Sequence, residues 1–375
     1  MDREEITRYV NANTAEAITL LETLGKIPAQ SHHEDLRAEF CRKWFAENTN
    51  GEVSIDTAKN VVCKFEVNNG DYAVVMAHTD VVFEDTEELP MTREGNILAA
   101  PGIGDDTANL VNLMMAARYL SEKRDLLKKN LLVVANACEE GLGNLDGSKQ
   151  IFRDYGEKIT EFISLDGNLG GLTDKPVGSH RYQITVKTQG GHSYGNFGRD
   201  NAIELMARMI EKLYAVELPK EAYTTFNVGT IKGGSTVNSI AQECSILYEY
   251  RSENEDCLKY MQEKLNQIVE GFKAEGKDVE IQILGIRPGM GEIDQEKLAA
   301  FTEKNLRIIQ EYYNEEVRVH AGSTDANIPL SMGVIANTIG TITGKGAHTR
   351  EEWVDLDSIP AGMSLAIHLL CEYLG

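Results

Sequence analysis

The chain has 375 residues, 42% hydrophobic and 26% charged, the profile of an ordinary soluble globular protein long enough for two domains. Its 59 acidic against 37 basic side chains leave a formal net charge of -22. That balance argues against nucleic acid or an anionic membrane surface as a partner, because phosphate recognition needs clustered lysine and arginine.

The start, MDREEITRYV, lacks the basic and apolar regions of a signal peptide, and no apolar run reaches the roughly 18 residues of a membrane span. A cytoplasmic protein is expected. The six cysteines (Cys41, Cys63, Cys138, Cys244, Cys257, Cys371) have no CxxC spacing and are read as reduced thiols. Cys138 sits beside two glutamates, a negative setting that raises a thiol's pKa and favours packing over nucleophilic use.

Along the chain, Ser31 with Glu34 has the spacing of a capping box, followed by Leu36, Phe40 and Trp44 at helical intervals. Strands are expected near 61–66, 72–77, 130–137 and 162–165, with a helix between the second and third whose apolar stripe is Leu110, Leu113, Met114, Ala117 and Leu120. This alternation predicts an α/β domain: a mixed, largely parallel sheet flanked by helices. After Gly178 the pattern becomes strand (Tyr182, Ile184, Val186), helix (Leu205 to Leu213), strands near 224–231 and 243–251, helix (Leu258 to Phe272) and strand near 278–285. That order is a split β-α-β unit, a ferredoxin-like α+β domain inserted into the first. GIRPGMG reads as the return linker. The expected boundaries are 1–178 and 291–375 for the first domain and 179–290 for the insert. The last segment should hold a helix, a short strand near 334–339, and a closing helix with Ile359, Met363, Ile367 and Leu370.

Polar clusters fall where the strands of the first domain end. His78 and Asp80 follow 72–77, Glu139 and Glu140 follow 130–137, and Asp166 follows 162–165. Ligands of open α/β sheets bind beyond the carboxyl ends of the strands. Asp105 and Asp106 in GIGDDTANL, and His348 in GKGAHTREEWV, add to the set. Each has an ordinary alternative: a helix N-cap for Asp105, a solvated turn for Glu139 and Glu140, an Asx turn for Asp166. Gathered in one crevice, they would repel one another unless a cation sat among them. Imidazole and carboxylate without thiolate suit zinc, cobalt or manganese. His78 and Asp80 share a face of an extended chain, so Asp80 can orient the ring of a ligating His78.

The order His78-x-Asp80, Asp105-Asp106, Glu139-Glu140, Asp166, His348 resembles the cocatalytic di-zinc peptidase and amidohydrolase family that includes peptidase T, glutamate carboxypeptidase, aminoacylase and acetylornithine deacetylase. The resemblance extends over nearly the whole chain and implies two divalent metal ions, zinc first, with Asp105 bridging them. One metal would also take His78 and Asp166, the other Glu140 and His348. Glu139 matches the family's general base, which takes a proton from the attacking water and returns it to the leaving nitrogen. GGHSYGNFGRDNAI resembles the family's lid-domain signature, implying that His192 supports the oxyanion and, in dimeric members, reaches the partner's site. Asn238 in GGSTVNSI and Arg251 in LYEYRS match positions that bind a substrate carboxylate, and Ser323 in AGSTDANIP matches a substrate-binding loop. The family also implies a cis peptide bond between Asp105 and Asp106. Thr107, Ala108 and Asn109 depart from the Asp-Asp-Lys-Gly pattern of many relatives.

The expected activity is a cytoplasmic, homodimeric exopeptidase cleaving di- or tripeptides through a metal-generated hydroxide, closest to the peptidase T branch. The alternative is an amidohydrolase of N-acyl amino acids using the same site. A binding protein that has lost catalysis is the remote third reading, disfavoured because the base and all ligand positions are present.

Overall fold

The computed structural model describes residues 3–374. The chain forms two compact units, Met1–Pro176 with Gly291–Gly375, and Val177–Met290.

The first unit is built on an eight-stranded sheet ordered Glu52–Ile55, Val61–Phe65, Asn130–Asn136, Tyr72–His78, Ile159–Leu169, Ile335–Gly340, Gly171–Pro176, Arg318–Gly322. Four central strands run parallel. Tyr72–His78 and Asn130–Asn136 are buried throughout, which is why both read as continuous apolar runs rather than alternating ones. One face packs against helices Arg3–Leu24, Asn109–Ser121 and Ile359–Cys371. The other carries helix Asp146–Tyr155, whose Phe152 and Tyr155 rings lie 6.2 and 5.6 Å from those of Phe162 and Tyr72. Helix Asn109–Ser121 is buried on every side except at Arg118, more completely than an amphipathic stripe implies.

Helix Asp35–Asn48 departs from the expected pattern. Ser31 and Glu34 form no capping box, because both side chains are drawn to the strand-end loops. Ser31 Oγ donates to Asp80 Oδ2 at 2.6 Å, and Glu34 Oε1 accepts from Cys138 N at 3.1 Å. The buried face is Arg37, Ala38, Cys41 and Phe45, while Leu36 is 62% exposed. The helix is therefore turned by about one residue from the stripe read in its sequence. Helix Arg3–Leu24, which the sequence reading did not place, buries Ile6, Val10, Ala17, Leu20, Leu21 and Leu24, a spacing that is legible as helical.

The second unit has a four-stranded antiparallel sheet ordered Thr224–Gly233, Glu243–Ser252, Gly178–Lys187, Asp278–Arg287. Helices Ala202–Tyr214 and Glu255–Ala274 pack on one face over Tyr182, Ile184, Val186, Ile246 and Tyr248. Asn201 and Asn254 cap these helices by accepting from Ile203 N and from Asp256 N and Cys257 N. All six cysteines are free and buried. No helix among the described residues is long and apolar enough to cross a membrane.

The turn leading to Asp105 begins at Gly102, with φ +70°, where an added Cβ would run into the Val81 side chain. Gly95 has φ +61° but open space around it. Gly102→Ala should destabilise by more than the about 1–2 kcal/mol of a left-handed residue, and Gly95→Ala by no more than that. Denaturant melts of the two variants check the order.

Candidate metal centre

Two clusters leave the carboxyl edge of neighbouring parallel strands, whereas Asp166 lies inside Ile159–Leu169, a strand that runs on beyond the end expected at 165. His78 closes its strand level with Asn136, and Cys138, Glu139 and Glu140 follow on from Asn136. Asp166 lies two residues beyond Ser164, which pairs with Met76 in the next strand. Asp105 comes from the irregular turn Ile103–Ala108 and is joined to Asp106 by a cis peptide bond, as the family resemblance implied. It makes no N-cap. His348 arrives from the loop after Gly344–Lys345.

These side chains converge. Asp105 Oδ1 lies 3.0 Å from His78 Nε2, and Asp105 Oδ2 lies 3.1 Å from His348 Nε2. His348 Nε2 is also 3.1 Å from Glu140 Oε1. Three groups each bring their donor atoms within 4.8 Å of one another: His78, Asp105 and Asp166; Asp105, Glu140 and His348; His78, Glu139 and Glu140. Asp105 thus belongs to two groups and offers a different oxygen to each imidazole. Glu139 and Glu140 are 6% and 4% exposed, which excludes the solvated turn.

Polar side chains hold this arrangement from behind. Asp80 is fully buried; its Oδ1 accepts from Glu139 N at 3.0 Å and its Oδ2 from Glu140 N at 2.9 Å. His78 Nδ1 lies 3.1 Å from the Asp80 carbonyl and 3.4 Å from its carboxylate, so the ring can donate there while Nε2 faces the cluster. Asp106 Oδ2 accepts from His78 N at 2.9 Å. Glu352 grips the Asp105 turn: Oε2 accepts from Gly102 N at 2.9 Å, and Oε1 from Gly104 N and Asp105 N, each at 2.7 Å. Thr107 and Asn109 also have structural work here. The Thr107 hydroxyl donates to Gly102 O, and Asn109 Oδ1 accepts from both Thr341 N and Thr341 Oγ1.

The electrostatics follow from burying many acids together. Burial, with Asp105 and Glu139 nearby, pushes Glu140 up to about 7 against the pull of His348. Burial and Asp105 raise Asp166 well above the carboxylate range. Burial also opposes charge on Asp105, but hydrogen bonds from His348 and His78 outweigh it and hold that carboxyl down. The same contacts, from Asp105 and Glu140, raise His348 to about 10. Asp105, Glu139, Glu140 and Asp166 with two imidazoles form a largely buried set of oxygen and nitrogen donors short of positive charge, which fits divalent cations.

Not every residue of interest belongs to this cluster. Ser323, half-buried, follows strand Arg318–Gly322 in the first unit. His192, Asn238 and Arg251 belong to the second unit. There, Gly191–His192 pairs with Ser239–Ile240, and Ser193 N donates to Asn238 O at 3.0 Å, so His192 and Asn238 lie on adjoining loops. Arg251 forks onto Glu249, with Nε and Nη2 each 3.1 Å from a carboxylate oxygen. The sequence reading missed Glu352, Glu34 and Asp325. Asp325 is fully buried, accepts from Asn136 Nδ2 at 2.6 Å, and is pushed up to about 8 by burial and by Glu139. Glu34 reads locally as a capping residue, which hides its bond from Cys138 N, and Glu352 and Asp325 have backbone or amide partners remote in sequence.

Fold and donor set together define an α/β unit with a candidate site for divalent cations at its sheet edge. The model of peptidase family M20/M25/M40 matches residues 74–372, and the chain belongs to that family. The succinyl-diaminopimelate desuccinylase of Corynebacterium glutamicum is 24% identical over 91% of this chain and 92% of its own. Among solved structures, aminopeptidase PepT of Bacillus cereus has a TM-score of 0.74 at 19% identity, covering 96% of this chain and 99% of its own. The YXEP protein of Bacillus subtilis, a dinuclear metal-binding peptidase, has a TM-score of 0.66 at 14% identity, covering 96% and 99%. The resemblance read from the motifs therefore holds, and the chain is a hydrolase of amide bonds in a family that contains both peptidases and deacylases.

A cation entering this cluster must displace the protons that His348 and Glu140 hold at about 10 and about 7. Cobalt or zinc uptake should release protons, and its affinity should fall as the pH drops from about 8 to about 6. Calorimetry in buffers of different ionisation enthalpy counts the protons released; pH-independent uptake without proton release would contradict the assignment.

Proposed function

We propose that this chain is a cation-dependent exopeptidase of short peptides, and that the two groups sharing Asp105 each hold one divalent ion. His78 and Asp166 complete one group, and Glu140 and His348 complete the other. The observation that carries the reading is Asp105, which turns one carboxylate oxygen to each imidazole beside a second acidic doublet. Zinc is the first choice for such a donor set, with cobalt or manganese as substitutes. When bound, the ions polarise the scissile carbonyl and make water acidic enough to attack at neutral pH.

The chain's own residues then have distinct tasks. Glu139 takes the proton of the attacking water and passes it to the leaving nitrogen. Glu140, its neighbour, is the ligand because its Oε1 lies 3.1 Å from His348 Nε2. Asp80 fixes both by holding their N–H groups, and it orients His78. His192 donates to the developing oxyanion, in its own subunit or across a homodimer formed through the inserted domain. Arg251 and Asn238 bind the substrate's carboxylate; Arg251's fork, now on Glu249, has the planar geometry for that exchange. Ser323 lines the same substrate path. Residues 179–290 act as a lid and dimerisation domain. The six free, buried thiols support a cytoplasmic setting.

The second reading is deacylation of an N-acyl amino acid, favoured by the similarity to the C. glutamicum desuccinylase. A panel of di- and tripeptides beside N-acetyl and N-succinyl amino acids, assayed with zinc, cobalt or manganese, separates the two. Peptide cleavage supports the first, and turnover of acyl compounds alone overturns it. Glu139→Gln should lower kcat by about 10²–10⁴-fold while cation content stays at the wild-type level. Unchanged turnover would remove Glu139 from its role.

A further inference from the structure

We propose that Arg37 is a positioning residue for the cation pair, clamping two ligand-bearing loops from behind. The inference rests on the cation reading of the cluster. Arg37 lies in the first turn of helix Asp35–Asn48 and is completely buried. Its Nε donates to Ile27 O at 2.8 Å. Its Nη1 donates to Thr79 O at 2.9 Å and to Thr107 Oγ1 at 3.0 Å. Thr79 is the residue between His78 and Asp80, and Thr107 directly follows the Asp105–Asp106 pair. One planar group therefore ties the strand-end turn that presents His78 to the turn that presents Asp105.

The setting is unusual for a structural arginine. Every acceptor it reaches is uncharged, and Nη2 has no partner among the described residues. Burying an arginine without an ion pair is costly, and an apolar side chain of similar volume is the ordinary solution for a core. Burial lowers Arg37 to about 10, with Cys41, Asp80 and Glu352 acting to raise it, so the guanidinium is charged at neutral pH. It faces, across Thr79 and Thr107, a cluster otherwise dominated by acids. The Thr107 hydroxyl extends the clamp by donating to Gly102 O at 2.6 Å, the carbonyl of the residue whose N–H Glu352 holds. The neighbouring side chains of the same segment brace the loop that carries Glu139 and Glu140, through Ser31 on Asp80 and Glu34 on Cys138 N. Residues 31–37 thus support three of the loops that build the cluster.

Arg37 reaches no position open to substrate, so its loss should disturb the cations and the chemical step rather than substrate capture. Arg37→Met, Arg37→Lys and Thr107→Val are compared with wild type by cobalt affinity, the visible spectrum of the cobalt form, kcat and KM, and circular dichroism with thermal melting. Folded Arg37→Met is expected to bind cobalt about 10- to 100-fold more weakly, with an altered spectrum and a kcat loss at a KM within about twofold of wild type. Arg37→Lys should recover part of the affinity, and Thr107→Val should move in the same direction by less. Wild-type affinity, spectrum and kcat in folded Arg37→Met overturn the proposal; if that variant does not fold, the same result in Thr107→Val does so. A wild-type protein that takes up no cobalt overturns the cation reading itself, a result distinct from failure of the Arg37 role alone.

Discussion

The constraint on which the first unit turns is the crowding of like charge at one sheet edge. Asp105, Glu139, Glu140 and Asp166 are held close together, with the imidazoles of His78 and His348 among them. Burial removes the water that would screen them, and the effect is visible in Glu140 and Asp166, both pushed upward. Such a cluster is unfavourable by itself. Hydrogen bonds accepted by Asp80 and Glu352 hold the loops that carry these side chains, and cations would turn mutual repulsion into shared coordination.

The fold achieves this with backbone donors. Asp80 and Glu352 each bind N–H groups of the residues that carry ligands, so two buried carboxylates serve as anchors without joining the cluster. Accepted N–H bonds favour a carboxylate's charged form and fix its orientation, but at Glu352 burial outweighs them and raises the carboxyl. For Asp80, hydrogen bonds from His78, Ser31 and the Glu140 N–H outweigh the upward push of burial. Arg37 then adds a fixed cation behind the same loops. The parallel sheet supplies the frame, since His78 and Asn136 end their strands in register.

Much of this architecture is legible in the order of the amino acids, and the exceptions are instructive. The apolar runs at 72–77 and 130–137 read as buried strands and are so, because a strand covered on both faces leaves a continuous apolar signature. The i, i+2 placement of His78 and Asp80 and the Glu139–Glu140 doublet are equally local signals. Helix Asp35–Asn48 misleads in its face and its cap. Its motif fits a capping box, yet Ser31 and Glu34 find better partners in Asp80 and Cys138 N, and Arg37 displaces Leu36 from the buried side. Local propensity gives way to tertiary hydrogen bonds. Glu352 and Asp325 leave no trace, because a carboxylate that accepts from a distant backbone or amide group looks like any surface acid in sequence.

By itself, the sequence determined the chemistry of the donors, the kind of element that carries each one, and the family to which their order belongs. These are properties of single residues and their near neighbours. The tertiary structure decided which acids gather at the sheet edge and which hold backbone N–H groups behind it, that Asp105 turns one oxygen to each histidine, and that a buried arginine stands behind the loops. Those facts depend on distances between segments far apart along the chain. Only the packing of the sheet and its helices brings such segments within hydrogen-bonding range, so only the folded protein could reveal them.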